Sequence, residues 1–189
     1  MGPKKHVMPD KSHRFESDVL PHLDAAYNLA RWLVRDEHVA EDIVQDAFLR
    51  AFQYFGSFRG GDARPWLLGI VRHAVHDWFA QNQKHLHAEL SVDDDLGPPA
   101  VDRHGAVETP ESILGIKLER ARVTAAMARL AIPFREVLVL REMEELSYED
   151  IAQALGIPKG TVMSRLARAR QQLYGHLRDG DKRPEHEPR

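Results

Sequence analysis

The stretch from residue 146 to residue 173, LSYEDIAQALGIPKGTVMSRLARARQQL, constrains this chain most, because it specifies two short helices and the turn between them. Ser147 can cap the first helix, with Asp150 three residues later in a variant of the capping box. Gly156 lies where a helix ends in a left-handed residue, which only glycine adopts at low cost. Pro158 suits the first turn of a second helix. The pattern therefore predicts a helix-turn-helix.

The two helices have distinct apolar and polar faces. Ile151 and Leu155 form the apolar face of the first helix. In the second helix the apolar positions recur at helical intervals, at Val162, Leu166, Ala169 and Leu173. The opposite face of the second helix and its flanks carry Lys159, Thr161, Ser164, Arg165, Arg168 and Arg170.

Charge separates sharply within this unit. No acidic side chain occurs between residues 159 and 178, whereas the preceding segment carries Glu142, Glu144, Glu145, Glu149 and Asp150. Positive charge is thus concentrated on the helix that would enter the major groove of DNA. A helical hairpin with a solvated basic face is the plainer alternative, but cap, glycine turn, proline and basic helix together favour DNA binding.

Composition restricts the other possibilities. The chain has no cysteine, so it can form neither a disulfide nor a thiolate zinc site. No apolar run approaches the roughly 20 residues of a membrane span, and the N-terminus lacks the apolar segment of a signal peptide, so we expect a soluble, cytoplasmic protein. The formal net charge of -3 is unusual for a free-standing DNA binder. Either the basic helix suffices locally or a larger partner holds the DNA.

The N-terminal part predicts three further helices. The first has an apolar rhythm at Leu20, Leu23, Tyr27, Ala30 and Val34. The second begins near Glu37 and carries Ile43, Val44, Ala47, Phe48, Ala51, Phe52 and Phe55. The third is capped by Asp62, has Pro65 in its first turn, and carries two apolar rows that include Trp66 and Trp78. We expect both tryptophans to be core residues rather than platforms for base stacking.

These patterns predict an all-α fold of two small helical domains. Residues 1–14 are expected to be disordered, residues 15–84 to form the N-terminal domain, and residues 85–109, rich in Asp, Pro and Gly, to form a flexible acidic linker. Residues 110–178 are expected to form a second domain that ends in the helix-turn-helix, before a disordered tail at 179–189. The second domain opens with an apolar row at Leu114, Leu118, Ala121, Ala125 and Leu130, and breaks at Pro133.

The chain resembles the bacterial RNA polymerase sigma factors of the sigma-70 family, in the extracytoplasmic-function (ECF) group. The resemblance rests on AEDIVQDAFLRAF at 40–52, RPWLLGIVRHAVHDW at 64–78, and the block from Leu130 through PFREVLVLREMEELSYEDIAQALGIPKGTVMSRLARARQQL. It implies a non-enzymatic, cofactor-free subunit that binds core RNA polymerase, directs it to promoters in transcription initiation, and commonly serves a stress response.

The resemblance also assigns residues. The helix at 40–52 would meet the clamp coiled coil of the largest polymerase subunit through Asp42, Gln45, Asp46 and Arg50. The upstream edge of the −10 element would be met by Arg72, His73, His76, Gln81, Asn82 and Lys84. The −35 element would be read by Thr161, Ser164, Arg165 and Arg168, with Lys159 and Arg170 on phosphates. This chain has Gly69, Ala80 and Gln81 where family members usually carry arginine.

The sequence also leads us to expect a regulatory partner, and it leaves two alternative functions open. Members of the family are commonly held by an anti-sigma factor, and we expect one here. One rival is a stand-alone helix-turn-helix regulator, which would bind its duplex without polymerase, usually as a dimer. The other is a metal-dependent hydrolase or metal sensor, suggested by His73-x-x-His76 and His85-x-His87, although no HExxH motif or histidine–carboxylate set at ligand spacing accompanies them.

Overall fold

A computed structural model describes residues 11–89 and 110–181 of the chain, and every regular element in these two ranges is helical. The N-terminal half contains α1 (Lys11–Asp18), α2 (Leu23–Val34), α3 (Glu37–Tyr54) and α4 (Ala63–Glu89). The C-terminal half contains α5 (Pro110–Ala128), α6 (Ile132–Leu138), α7 (Tyr148–Leu155) and α8 (Lys159–Asp181). A π-helical turn, Val139–Met143, follows α6 directly. The all-helical prediction is confirmed.

Side-chain caps begin α3 and α4, and the one at Asp62 is as predicted. The Asp36 carboxylate accepts a hydrogen bond from the backbone N of Val39, 2.9 Å away, at the start of α3. The Asp62 carboxylate does the same for the backbone N of Arg64, 2.9 Å away, in the first turn of α4. Each cap satisfies one of the free N–H groups that a helix start leaves without an intrahelical partner.

The helix-turn-helix forms as its sequence predicts. The Ser147 hydroxyl accepts a hydrogen bond from the backbone N of Asp150 at 3.1 Å, and donates to the Asp150 carboxylate at 2.7 Å. Gly156 ends α7 in the left-handed conformation, with φ of +63°. Of the predicted inward residues, Ile151, Leu155, Val162, Leu166 and Ala169 are buried, and Leu173 is partly buried against the core.

Two apolar rows point elsewhere than predicted. In α2, Leu23 is 46% exposed, and the buried face is formed instead by residues such as Ala26, Leu29 and Leu33. In α5, Leu118 is 60% exposed, whereas Ala126 and Met127 are buried. The predicted row of α2 is therefore partly correct, because Ala30 is buried and Tyr27 and Val34 pack against the core. The predicted row of α5 is wrong in its described part, since Ala121 and Ala125 are exposed as well.

Helix ends also differ from the predicted boundaries. α1 begins at Lys11, inside the stretch expected to be disordered, α4 continues to Glu89, beyond the expected start of the linker, and α8 extends to Asp181, into the expected tail. The other residues assigned to disordered termini and to the linker lie outside the described ranges. Both Trp66 and Trp78 are only partly buried; Trp66 packs beside Phe58, with ring centroids 5.2 Å apart.

The N-terminal and C-terminal halves pack against each other over one hydrophobic core. α4 lies at the centre, in contact with α2 and α3 of its own half and with α7 of the other. α2 also contacts α6. The face that α4 turns toward α7 therefore belongs to an interface between the two halves. Separately, among the described residues, no helix is long and apolar enough to cross a lipid bilayer.

Candidate nucleic-acid and polymerase interfaces

The outer face of α8 carries the residues predicted to read duplex DNA. Ser164 and Arg168 are exposed, while Thr161 and Arg165 are partly exposed. The Ser164 hydroxyl donates to the carbonyl of Thr161, 3.0 Å away, which fixes its rotamer along the helix. Within the described ranges neither Arg165 nor Arg168 forms a salt bridge. Their guanidinium groups are therefore available to an external acceptor.

The two cations that flank this face are instead paired with carboxylates of the preceding segment. Lys159 forms an ion pair with Glu149 of α7. Arg170 contacts Glu142 of the π-helical turn, with its Nη2 2.6 Å from Oε1. The hydrogen bond from Lys159 lowers the pKa of the Glu149 carboxyl, and the bond to Glu142 raises the pKa of Arg170. A phosphate that contacts Lys159 or Arg170 must share the cation with a carboxylate of this chain or displace that carboxylate.

The predicted −10 residues on α4 divide into two groups. Arg72 and His76 face the C-terminal half, where both donate to Oε1 of Glu136. The Arg72 Nε lies 3.2 Å from this oxygen, and the His76 Nε2 lies 2.5 Å from it. His76 therefore does not simply face solvent or DNA, as the helical spacing suggested. The Glu136 side chain is 1% exposed, so the contact lies inside the interface between halves.

The second group lies away from that interface. His73 is exposed, and its Nδ1 donates to the carbonyl of Gly69 at 2.7 Å. Gln81 is exposed, and the Asn82 amide donates to the carbonyl of Trp78 at 2.9 Å. Lys84 lies on α4, but its side chain is outside the described part of the structure. Arg72 and His76 thus contact the C-terminal half, whereas the contacts of His73 and Asn82 remain within α4.

An apolar groove of about 650 Å³ lies between α1, α2 and α3. Its walls include the predicted docking residue Gln45 together with Leu20, Leu23, Leu49 and Phe52. Leu49 is 60% exposed. Leu20, Leu23 and Phe52, which belong to the predicted apolar rows of the N-terminal half, thus line one exposed depression, which is typical of a protein-binding surface.

The other docking candidates lie beside the groove on α3. Asp42 is exposed. Arg50 bridges two carboxylates, with Asp46 at 2.8 Å and Asp77 of α4 at 2.6 Å. The hydrogen bond to Asp77 is the main reason that the pKa of Arg50 is raised. Arg50 therefore fastens α3 to α4, and Asp46 is positioned by it.

Buried charges of the C-terminal half are the feature that the sequence reading did not identify. Arg135 is 6% exposed, and Glu144 is 3% exposed. Glu144 accepts from Arg64 at 2.5 Å. Arg135 donates to the carbonyls of Met127, Ala128 and Leu130 in its own half and to those of Trp32 and Leu33 at the end of α2. The signal available in the sequence was the position of Arg135 between the apolar residues of α6, whereas Glu144 lies in the charged segment REMEEL, where no local pattern predicts burial.

Histidine positions give no support to the metal-binding alternative within the described residues. No group of three or more potential metal-ligating side chains is arranged to hold an ion in residues whose side chains the structure describes. His73 and His76 are engaged by a carbonyl and by Glu136, respectively. His85 and His87 have side chains outside that part.

Comparison with known proteins matches both ends of this architecture. The Sigma-70 region 2 profile matches residues 19–85, and the Sigma-70 region 4 profile matches residues 120–173. Over 153 residues the chain is 32% identical to the RNA polymerase sigma factor YlaC of Bacillus subtilis, covering 79% of this chain and 85% of that protein. It is 35% identical over 159 residues to the ECF RNA polymerase sigma factor SigE of Mycolicibacterium smegmatis, covering 84% of this chain. The chain spans 60% of the length of that second relative.

A solved structure gives the same result. The sigma factor RpoE from Bartonella quintana, crystallised in complex with the anti-sigma factor NepR, superposes with a TM-score of 0.68 at 25% identity, over 87% of this chain and 97% of that one. The chain belongs to the sigma-70 family, in its extracytoplasmic-function group, and is an RNA polymerase sigma factor.

Proposed function

We propose that this sigma factor reads the −35 element through the outer face of α8. The observation that carries the proposal is the pair of arginines, Arg165 and Arg168, which project from a recognition helix without an ion pair in the described ranges. Arginine can donate two hydrogen bonds to the major-groove edge of guanine. Thr161 and Ser164 lie on the same face and can contact bases or phosphates. Lys159 and Arg170 are the phosphate contacts, and each exchanges its carboxylate partner for DNA.

The −10 element is assigned to α4. Arg72 and His76 supply charge and hydrogen bonds to the backbone, and His73, Gln81, Asn82 and Lys84 continue the contact toward the C-terminal end of the helix. Single-stranded DNA is bound by such a combination of positive charge and side chains that can meet exposed bases. In this assignment the two halves read the two promoter elements separately.

Core RNA polymerase is assigned to the groove and to the α3 surface beside it. The apolar walls at Leu49 and Phe52 offer area to be buried, while Asp42, Gln45 and Asp46 at the rim offer hydrogen bonds that orient the partner. Arg50 contributes by positioning Asp46. The resemblance to the family supports the clamp coiled coil of the largest polymerase subunit as the contacting element. These contacts would be made in the cytoplasm, where transcription takes place.

The substitution Leu49→Asp tests this docking surface. It places a charge in the groove at a residue that is 60% exposed, so the helix should still fold. We expect binding to core polymerase, measured by fluorescence anisotropy of the labelled sigma factor, to weaken at least tenfold. Gln53→Asp adds the same charge at an exposed position of α3 that does not line the groove, and it should bind as the wild type does. Equal binding of core polymerase by both variants would contradict the proposal that the groove is part of the docking surface.

An anti-sigma factor is the proposed regulator of this chain. The related RpoE was crystallised with such a factor, which supports the expectation. The exposed apolar groove gives a helical segment of an inhibitor a surface that polymerase also needs. Purification of the native protein from its own cells, at low salt and with membranes solubilised, should recover a stoichiometric partner. Recovery of the sigma factor alone or with polymerase only would argue against it.

A further inference from the structure

One buried carboxylate joins the C-terminal half to the helix assigned to the −10 element. Glu136 is 1% exposed, and its Oε1 accepts from both Arg72 and His76 of α4. Its other oxygen, Oε2, is buried and has no hydrogen-bond partner among the described residues. Two donors therefore converge on one oxygen, while the second oxygen has lost its hydration without replacement.

Further polar contacts cross the same interface. Glu144 accepts from Arg64 at 2.5 Å and from the Asn28 amide at 3.4 Å. The guanidinium of Arg135 reaches the carbonyls of Trp32 and Leu33. Acidic groups of the C-terminal half thus meet basic groups of the N-terminal half, and a cation of the C-terminal half meets the negative end of a helix dipole.

Gly69 allows the two halves to approach closely. A Cβ placed on Gly69 would lie 3.0 Å from the carbonyl oxygen of Ala154 in α7, a distance too short for an ordinary contact. Glycine inside a helix costs about 1 kcal/mol relative to alanine. The close contact with α7 explains why glycine, which destabilises a helix, occurs at position 69.

We propose that this closed packing is a self-inhibited state of the free protein, in which Glu136 occupies the position of a DNA phosphate against Arg72 and His76. The inference rests on the proposed function, which assigns these two residues to the −10 element. A carboxylate and a phosphate are both anionic acceptors for the same donors. Promoter DNA therefore cannot use Arg72 and His76 until Glu136 leaves them.

The unpartnered Oε2 of Glu136 makes this state releasable. A buried acceptor without a hydrogen bond pays a desolvation penalty that it recovers when it returns to water. The closed packing is thus held by charge-assisted hydrogen bonds to Oε1 of Glu136, while the buried Oε2 lacks a hydrogen bond and favours release. Ligands that bind only the open state, such as core polymerase and promoter DNA, shift the population toward it.

Distance measurements on the free protein test the closed packing directly. The chain has no cysteine, so Gln53→Cys and Gln171→Cys, at exposed positions of α3 and α8, accept a dye pair without background labelling. In this labelled chain we expect Glu136→Gln to lower the energy-transfer efficiency, because the neutral amide holds Arg72 and His76 less strongly. Gly69→Leu should lower it by a different route, since its side chain collides with the backbone of Ala154.

Two matched control variants make the same substitutions at sites outside the interface between halves. Glu119→Gln removes a carboxylate that pairs with Arg122 on its own helix, and Gly115→Leu enlarges a glycine whose Cβ would meet nothing within 4 Å. Both controls should keep the efficiency of the parent chain. Helical circular dichroism of each variant checks that the halves remain folded. Equal efficiency in all variants and the parent would overturn the proposal.

DNA binding by the same proteins tests the masking. The probe is a fluorescein-labelled single-stranded DNA of mixed sequence, without polymerase. If the open state is populated at about a tenth, opening tightens apparent binding by up to about tenfold, and we expect this gain for Glu136→Gln but not for Glu119→Gln. If Glu136→Gln separates the two halves but does not bind the single-stranded DNA more tightly, the proposal that Glu136 masks Arg72 and His76 is overturned. Core polymerase binding, measured in parallel, shows whether the proposed function fails as well.

Discussion

Arg135 of α6 donates from Nη1 to the backbone oxygen of Leu33, 3.1 Å away near the end of α2. The same guanidinium also reaches carbonyls around the end of α5, so one buried cation closes two helix ends from different halves. Burial, with a smaller contribution from Arg35, lowers the pKa of Arg135 to about 10. It therefore remains charged at neutral pH, and its bonds are charge-assisted.

Replacing this residue should weaken the whole molecule. Arg135→Lys keeps the charge but has too few donors in too compact a head group to reach carbonyls on both sides. At roughly 1–3 kcal/mol for each buried acceptor left without a partner, we expect a loss of about 2–5 kcal/mol in the free energy of unfolding. Urea denaturation followed by circular dichroism measures it. Arg129→Lys, at an exposed position, should change stability by less than about 0.5 kcal/mol, and equal effects would contradict this role.

The Lys159–Glu149 pair predicts a titration shift. Because Lys159 stabilises the charged form, the pKa of Glu149 lies below its ordinary value of 4.5 in the folded protein. The pair's contribution is present above that value and is lost as the pH falls through the lowered pKa. In Lys159→Gln, carboxyl-carbon NMR should show the Glu149 pKa moving up toward its ordinary value. Arg170→Gln, whose partner is Glu142, should leave it in place, and a pKa unchanged in both variants would contradict the pairing.

Arg168 and Arg170 should have different effects on DNA binding. Arg168 is exposed and has no salt bridge in the described ranges, and we expect Arg168→Ala to reduce discrimination between promoter and scrambled −35 sequences by roughly 1–3 kcal/mol. Arg170→Ala should instead weaken all sequences alike and reduce the salt slope by about one. Lys159→Ala should behave as Arg170→Ala does. Binding titrations over several salt concentrations make the distinction, and equal losses on both sequences for Arg168→Ala would reject its base contact.

Local signals in the sequence predicted local structure well. The caps at Ser147 and Asp62, and the left-handed residue Gly156, depend on neighbours within a few positions, and each forms as expected. The face of α2 was wrong at Leu23, because helical periodicity cannot distinguish a core row from a row that lines a groove.

Contacts between distant segments could not be predicted in the same way. Glu136 meets Arg72 across 64 positions, and nothing in either local pattern specifies the other residue. Gly69 was noticed only as a departure from the family, and its reason became visible when α7 was found against it. The interface between halves therefore required the three-dimensional structure, whereas the candidate site residues were accessible from motifs and resemblance.

In vitro transcription across a promoter library, with purified core RNA polymerase, tests the central claim most directly. Transcripts that start at a defined set of promoters should appear only when this protein is added, and those promoters should share bases at −35 and −10. Arg168→Ala should change which −35 bases are preferred, while Leu49→Asp should abolish the transcripts. Absence of specific transcripts, together with tight binding to duplex DNA without polymerase, would contradict the assignment.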